Sequence, residues 1–394
     1  ASAARQPRRP SPMNNQDTPK RSLTLLIVGT TACNLACTYC YVDDTVRSRL
    51  TADQFVQIYD KLDAYFDAST EFIIVFHGGE PLLLGQPFFR RAFAHLAGQR
   101  RPIKTAIQTN LTLLTPDWID LLSEAGCQIG TSVDGTEEMH DAHRLHKSGS
   151  GSYREVLDRI KQVTDRGVQC SAITTLNKAN IQDPDLLYEG FRRYGATAIY
   201  FSLVYGQGSA GESMLARGEM GKALNRLFDL WLADPDPVNL AFFGELIRSV
   251  LGRPGSRTCR WAANCTDYFL AVRPDGDVYP CCDFVGRDDF CYGNIFDQDI
   301  ATIWGGQRRL SLAARNETLL AHDRCGSCEI EGFCHGGCMA KAAQPENGRD
   351  YYCDDYRAVY RHVREVVLAL TPGRPADAEG AAALVGASPG RGRP

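Results

Sequence analysis

Fifteen cysteines, most of them gathered in two fields, are the first sign of chemistry in this chain of 394 residues. Cys33, Cys37 and Cys40 form C-x3-C-x2-C directly after an apolar run that reads as a strand. Three thiolates close together in a loop can ligate three irons of a [4Fe–4S] cluster and leave the fourth iron open. An open iron can bind and reduce a substrate or cosubstrate. A structural zinc site wants four ligands. Of the neighbouring residues only His77, at the end of the next predicted strand, offers a fourth.

The second field begins at Cys259 and Cys265 and continues into VRPDGDVYPC, a hairpin pattern around Asp275-Gly276 with Cys281 on its second arm. Cys325, Cys328, Cys334 and Cys338 then follow as C-x2-C-x5-C-x3-C, and Cys353 closes the series. C-x2-C pairs also build zinc ribbons, so spacing alone leaves zinc and iron–sulfur both open for these eight thiols. Four cysteines stand outside the two patterns. Cys127 and Cys170 fall at the starts of predicted strands and read as small core residues, while Cys282 and Cys291 lie inside the second field.

So many thiols would suggest disulfides in a small secreted domain, but the chain is long and no signal-peptide h-region follows its N-terminus. No apolar run approaches the roughly 20 residues that cross a bilayer. A cytoplasmic protein is expected, with metal rather than disulfides on the cysteines. Net charge is −4, which gives no reason to expect nucleic acid or an acidic membrane as partner.

The elements that must position these residues alternate. Apolar runs start at Leu23, Phe72, Lys104, Gln128, Gln169 and Ala198, with helical patterns such as Thr51–Phe66 and Ser152–Gly167 between them. Thr51 and Ser152 are suitable N-caps and Gly167 a suitable stop. Six strand–helix repeats imply an α/β fold with a parallel sheet, barrel-like or doubly wound, whose chemistry collects at the C-terminal strand ends. The expected organisation is a flexible arm over 1–20, a strand–helix domain over 21–235, and a helical linker over 236–258. A metal-stabilised domain then spans 259–365 and a disordered tail 366–394. Arg5, Arg8 and Arg9 in the arm are read as solvated.

CNLACTYCY at Cys33–Tyr41 resembles the signature of the radical S-adenosylmethionine (SAM) superfamily. The resemblance implies a partial (β/α)6 TIM-like barrel. It also implies a cluster on Cys33, Cys37 and Cys40 whose open iron binds SAM, and electron transfer that releases a hydrogen-abstracting 5′-deoxyadenosyl radical. Tyr39 would lie near the adenine. GGEP, with Gly78, Gly79 and Glu80, would bind the methionyl amino group. Asn110 of QTN, Ser132 and Asp134 of SVDG, and Arg144 of HDAHR would complete the cosubstrate site. Taken alone, Glu80 reads as a solvated turn residue, Ser132 as a turn residue and Arg144 as a surface charge.

The second field resembles the SPASM extension of peptide-modifying members, with two auxiliary [4Fe–4S] clusters and therefore three in all. Carried over by position, Cys259, Cys265, Cys281 and Cys338 would hold the first, and Cys325, Cys328, Cys334 and Cys353 the second. From about residue 23 to 365 the likeness is greatest to anaerobic sulfatase-maturing enzymes, which oxidise Cys or Ser of a sulfatase to formylglycine. There an Asp directly follows the third ligand of the first auxiliary cluster and acts as base. Here Cys282 occupies that place and Asp283 comes one residue later. On an extended strand such a shift turns the side chain to the opposite face. Either Cys282 is the ligand and Asp283 keeps its role, or Cys282 is itself a base or radical partner, or it is an extra buried cysteine.

This departure puts a two-electron oxidation such as a cross-link in a ribosomally made peptide first, and formylglycine formation second. A zinc-stabilised binding module, and a sugar or alcohol dehydrogenase with one auxiliary cluster, are the competing classes. The implied partners are a precursor peptide or protein substrate and an electron donor such as flavodoxin or ferredoxin. Gly206–Ser213 reads as a linker or a substrate-facing loop.

Overall fold

The computed structural model describes residues 22–42, 48–204, 209–252, 258–262, 264–321, 323–342 and 348–371. The expected N-terminal arm and most of the expected tail lie outside them. The six apolar runs form β1 (Ser22–Thr30), β2 (Glu71–Gly78), β3 (Ile103–Gln108), β4 (Gln128–Ser132), β5 (Cys170–Leu176) and β6 (Ala198–Leu203). Each pairs in parallel with the next, giving six adjacent strands of a larger open sheet. Parallel order follows from the helices between the strands, which carry the chain back across one face.

Local signals explain the helix ends. Thr51 and Gln54 form a reciprocal capping box at the start of the helix Ala52–Tyr65, which buries Phe55, Ile58, Tyr59 and Leu62. Ser152 precedes the helix Tyr153–Asp165 as expected, yet its side chain does not cap it. Asp141 accepts from the backbone N–H groups of Ser152 and Tyr153 instead, at 2.9 and 3.0 Å. The Ser152 hydroxyl donates to the Arg144 carbonyl at 2.8 Å. Gly167 ends this helix at φ +72°, a conformation that costs glycine little.

The C-terminal region joins the same sheet. The predicted hairpin forms as β7 (Phe269–Val272) and β8 (Asp277–Tyr279), and β9 (Gly293–Asn294) follows antiparallel. β7 pairs in parallel with β1, so the sheet has nine strands in the order β6-β5-β4-β3-β2-β1-β7-β8-β9. The second cysteine field is thereby anchored beside the strand that leads into Cys33.

The expected linker over 236–258 is not a tether. Its helix Ala241–Val250 buries Phe242, Phe243, Leu246 and Ile247 and packs on the last helix, Cys353–Leu370. That last helix runs five residues past the expected domain end at 365 and packs Val359, Val363 and Val367 inward. Within Gly206–Ser213 the described part, Ser209–Ser213, is a short helix. Among the described residues no helix is long and apolar enough to cross a membrane.

Candidate functional site

The loop after β1 is strapped to the HDAHR segment by its backbone. Ala36 N–H donates to the Leu145 carbonyl at 2.7 Å and Thr38 N–H to the His143 carbonyl at 3.0 Å. The Thr38 hydroxyl and His143 Nδ1 lie 2.7 Å apart. Cys33, Cys37 and Cys40 are free thiols close enough to act on one another electrostatically. Burial pushes the Cys33 thiol up to about 11, so it needs a metal to hold it as thiolate near neutrality.

The end of β2 lies directly on the segment entering Cys33. Gly79 N–H donates to the Thr30 carbonyl and Glu80 N–H to the Ala32 carbonyl, at 2.8 and 2.9 Å. A Cβ on Gly79 would meet the Ala32 oxygen at 2.2 Å, so no side chain fits there. Glu80 is fully buried rather than solvated. It accepts from Leu82 N–H at 2.9 Å, the Thr109 hydroxyl at 2.7 Å and Asn110 N–H at 2.8 Å, tying the ends of β2 and β3 together. Burial nevertheless outweighs these donors and raises its carboxyl to about 7. Asn110 Nδ2 reaches Asn34 Oδ1 at 2.9 Å and Cys33 Sγ at 3.7 Å.

On the other side of the loop, Asp134 is fully buried and Arg144 nearly so. Arg144 Nε lies 2.8 Å from Asp134 Oδ2, and Thr175 N–H donates to Asp134 Oδ1 at 2.9 Å. Tyr39 donates its hydroxyl to the same carboxylate, with the Arg144 guanidinium 5.4 Å from its ring centre. Arg144 also acts on the Cys37 thiol. Arg144 is therefore no surface charge. Ser132 accepts from Gln108 Nε2 at 3.2 Å, which brings in Gln108, a residue the sequence reading had not singled out for a role.

The second field separates into two sets of four. Cys281 interacts electrostatically with Cys338, Cys265 and Cys259. Cys325, Cys328, Cys334 and Cys353 line one cavity, together with Arg324, Glu331 and Arg357. All eight are free thiols, a donor set suited to [4Fe–4S] clusters. Among the described residues no three His, Cys, Asp or Glu side chains converge as they would around a single metal ion.

Cys281 feels Cys259, Cys265 and Cys338, and Cys282 feels Cys259. Cys281 is extended, but Cys282–Phe284 forms a 3-10 turn, so the expected strand alternation does not apply here. Cys282 is buried and hydrogen-bonded with Tyr41, and burial pushes its thiol far up. Asp283 lies 3.7 Å from the buried ammonium of Lys341 and acts electrostatically on both His77 and Tyr41. The carboxylate therefore faces the same region as the three-cysteine loop and the end of β2. Sequence reasoning missed Tyr41 and Lys341. Their only signal was proximity to Cys40 and Cys338. Cys127 and Cys170 are buried core residues as expected, and Cys291 Sγ lies 3.6 Å from the Gly293 carbonyl.

The Radical SAM superfamily model matches residues 27–189, and the model of SPASM, an iron–sulfur cluster-binding domain, matches residues 259–329. A serine-type anaerobic sulfatase-maturating enzyme of Bacteroides thetaiotaomicron is 27% identical over 84% of this chain and 86% of its own. A cysteine-type anaerobic sulfatase-maturating enzyme of Clostridium novyi is 27% identical over 86% of this chain and 95% of its own. The solved structure of native anSMEcpe with bound AdoMet and Cp18Cys peptide shares the fold with a TM-score of 0.78 at 24% identity, covering 89% of this chain and 98% of that one. Streptococcus suis SuiB bound to precursor peptide SuiA shares it with a TM-score of 0.61 at 15% identity, over 85% of this chain and 76% of that one.

Proposed function

We infer, for a chain that belongs to the radical SAM superfamily and carries a SPASM domain, that it oxidises a cysteine or serine of a protein substrate to formylglycine. The observation that carries this reading is the Asp283 carboxylate, paired with Lys341 and directed toward Tyr41 and His77 in front of the three-cysteine loop. The one-residue displacement behind the cross-linking expectation falls in a 3-10 turn, where strand alternation does not apply. Relatives named sulfatase-maturating enzymes match 84% and 86% of the chain, which favours the second expectation over the first.

The free thiols of the three sets fit iron–sulfur clusters: Cys33, Cys37 and Cys40 for one, Cys259, Cys265, Cys281 and Cys338 for a second, and Cys325, Cys328, Cys334 and Cys353 for a third. When bound, a cluster with an open iron and SAM supply the hydrogen-abstracting radical, and the auxiliary clusters supply an electron acceptor.

The chain's own residues do the rest. Arg144, fixed by Asp134, presents a cation to the cosubstrate carboxylate beside Cys37. The Gly78–Gly79 backbone and Asn110 border the loop on the Cys33 side. Asp283 accepts the proton of the substrate hydroxyl or thiol, while Lys341 holds it in place. The substrate β-carbon gives up one hydrogen atom, the heteroatom one proton, and one electron leaves. Serine then yields the aldehyde directly, and cysteine a thioaldehyde that water converts to it with release of hydrogen sulfide.

A peptide deuterated at the β-carbon of the target residue tests this reading. Deuterium found in 5′-deoxyadenosine supports it; cosubstrate cleavage with deuterium retained in the peptide contradicts it.

A further inference from the structure

The two auxiliary cysteine sets are joined by a very short link. Cys334 belongs to one set and Cys338 to the other, with only His335, Gly336 and Gly337 between them. All three linking residues have positive φ, at 48°, 82° and 72°. A Cβ on Gly337 would meet Asp350 Cβ at 2.6 Å, so the link is held tightly as well as sharply turned.

Arg315, at the start of the helix Arg315–Leu320, grips this link from outside. Its Nη2 donates to the Gly336 carbonyl at 2.8 Å, Nη1 to Gly337 at 3.4 Å and Nε to Gly348 at 2.8 Å. Its donors are thus spent on neutral carbonyls. Among the described residues no carboxylate lies within salt-bridge distance of it, and Asp350 acts on it only from farther away. The same charge acts on Cys338 and Cys265 of one set and on Cys334 and Cys325 of the other.

We propose that Arg315 is a shared positioning residue that sets the reduction potentials of both auxiliary clusters through its charge. The proposal rests on the cluster reading above. A cation near a cluster favours the reduced, more negative form, and charge and hydrogen bonding near the ligands are among the factors that set such potentials. Arg315 is nearer in effect to the set with Cys265 and Cys338, whereas the other set has Arg324, Arg349 and Arg357 beside it.

The test is a potentiometric titration of the full-length holoenzyme followed by electron paramagnetic resonance, with parent, Arg315→Gln and Arg315→Lys. Arg315→Gln is expected to keep its iron and to move both auxiliary couples to lower potential. The oxidised-to-reduced ratio should rise about tenfold for the Cys265–Cys338 set, equivalent to about 59 mV for one electron, and less for the other. Arg315→Lys, which keeps the charge and loses the fork, should stay within about threefold of the parent. Unmoved couples in an iron-replete Arg315→Gln protein overturn the proposal, as does a lysine variant that shifts downward as far. If the glutamine variant loses iron, a lysine variant within about threefold of the parent upholds the proposal and one shifted about tenfold or more overturns it. A parent with full iron but no auxiliary couples, or with no iron, overturns the cluster reading itself.

Discussion

Arg144 and Asp134 form a buried ion pair, Nε to Oδ2 at 2.8 Å, at the end of β4 and beside Cys37. Asp134 is fully enclosed and shares its two oxygens among Arg144, Tyr39 and the Thr175 backbone. The pair fixes a guanidinium where an anionic cosubstrate group would need it. A surface arginine would lose that orientation to solvent.

Asp134→Ala should therefore destabilise the protein by about 3–5 kcal/mol, because it strands a buried charge. Denaturant unfolding measures this directly. SAM binding should weaken in the same variant, since Arg144 loses the partner that aims it.

Gly79→Ala tests the fit of β2 against the cysteine loop. Its Cβ would sit 2.2 Å from a backbone oxygen that cannot move without displacing Cys33. About four irons should be lost per chain, with the auxiliary iron kept. Iron and sulfide quantitation reads the outcome.

Glu80 gives a pH signature. Its carboxyl rises from the ordinary 4.5 to about 7 through burial, so the folded state keeps a proton that the unfolded state releases. That contribution is fully present below pH 4.5 and is lost as pH rises through 7. Relative to Glu80→Gln, which titrates no proton, the parent's unfolding free energy should fall between pH 5 and 8. A constant difference across that range would contradict the assignment.

Much of this arrangement was legible beforehand, for physical reasons. Short apolar runs with helical patterns between them dictate a parallel sheet, and clustered thiols announce their own chemistry. The pairing of β7 with β1 was not legible, because it joins segments about 240 residues apart with no local mark. Nor was the 3-10 turn at Cys282–Phe284, which is too short to show periodicity. Ser152 looked like a cap by residue type, yet Asp141 takes that role from across a loop. Arg315 and Lys341 belong to no motif. Their roles come only from what the fold brings beside them.

Cys282 and Asp283 should separate cleanly. Asp283→Asn is expected to keep iron and cosubstrate binding and to lower peptide oxidation by about 10²–10⁴-fold. Cys282→Ala should also keep its iron, because Cys281 is the residue proposed as ligand, and should lose far less activity. Loss of auxiliary iron from Cys282→Ala would reverse the assignment of ligand and neighbour.

The most direct test of the account is aldehyde capture. The anaerobically reduced holoenzyme is mixed with SAM and a sulfatase-derived peptide carrying the target cysteine or serine, and the products are treated with a hydrazide and weighed. The account predicts a hydrazone at the target residue with the parent and almost none with Asp283→Asn. A peptide that becomes cross-linked without forming a hydrazone, or that stays unchanged while SAM is cleaved, would contradict it.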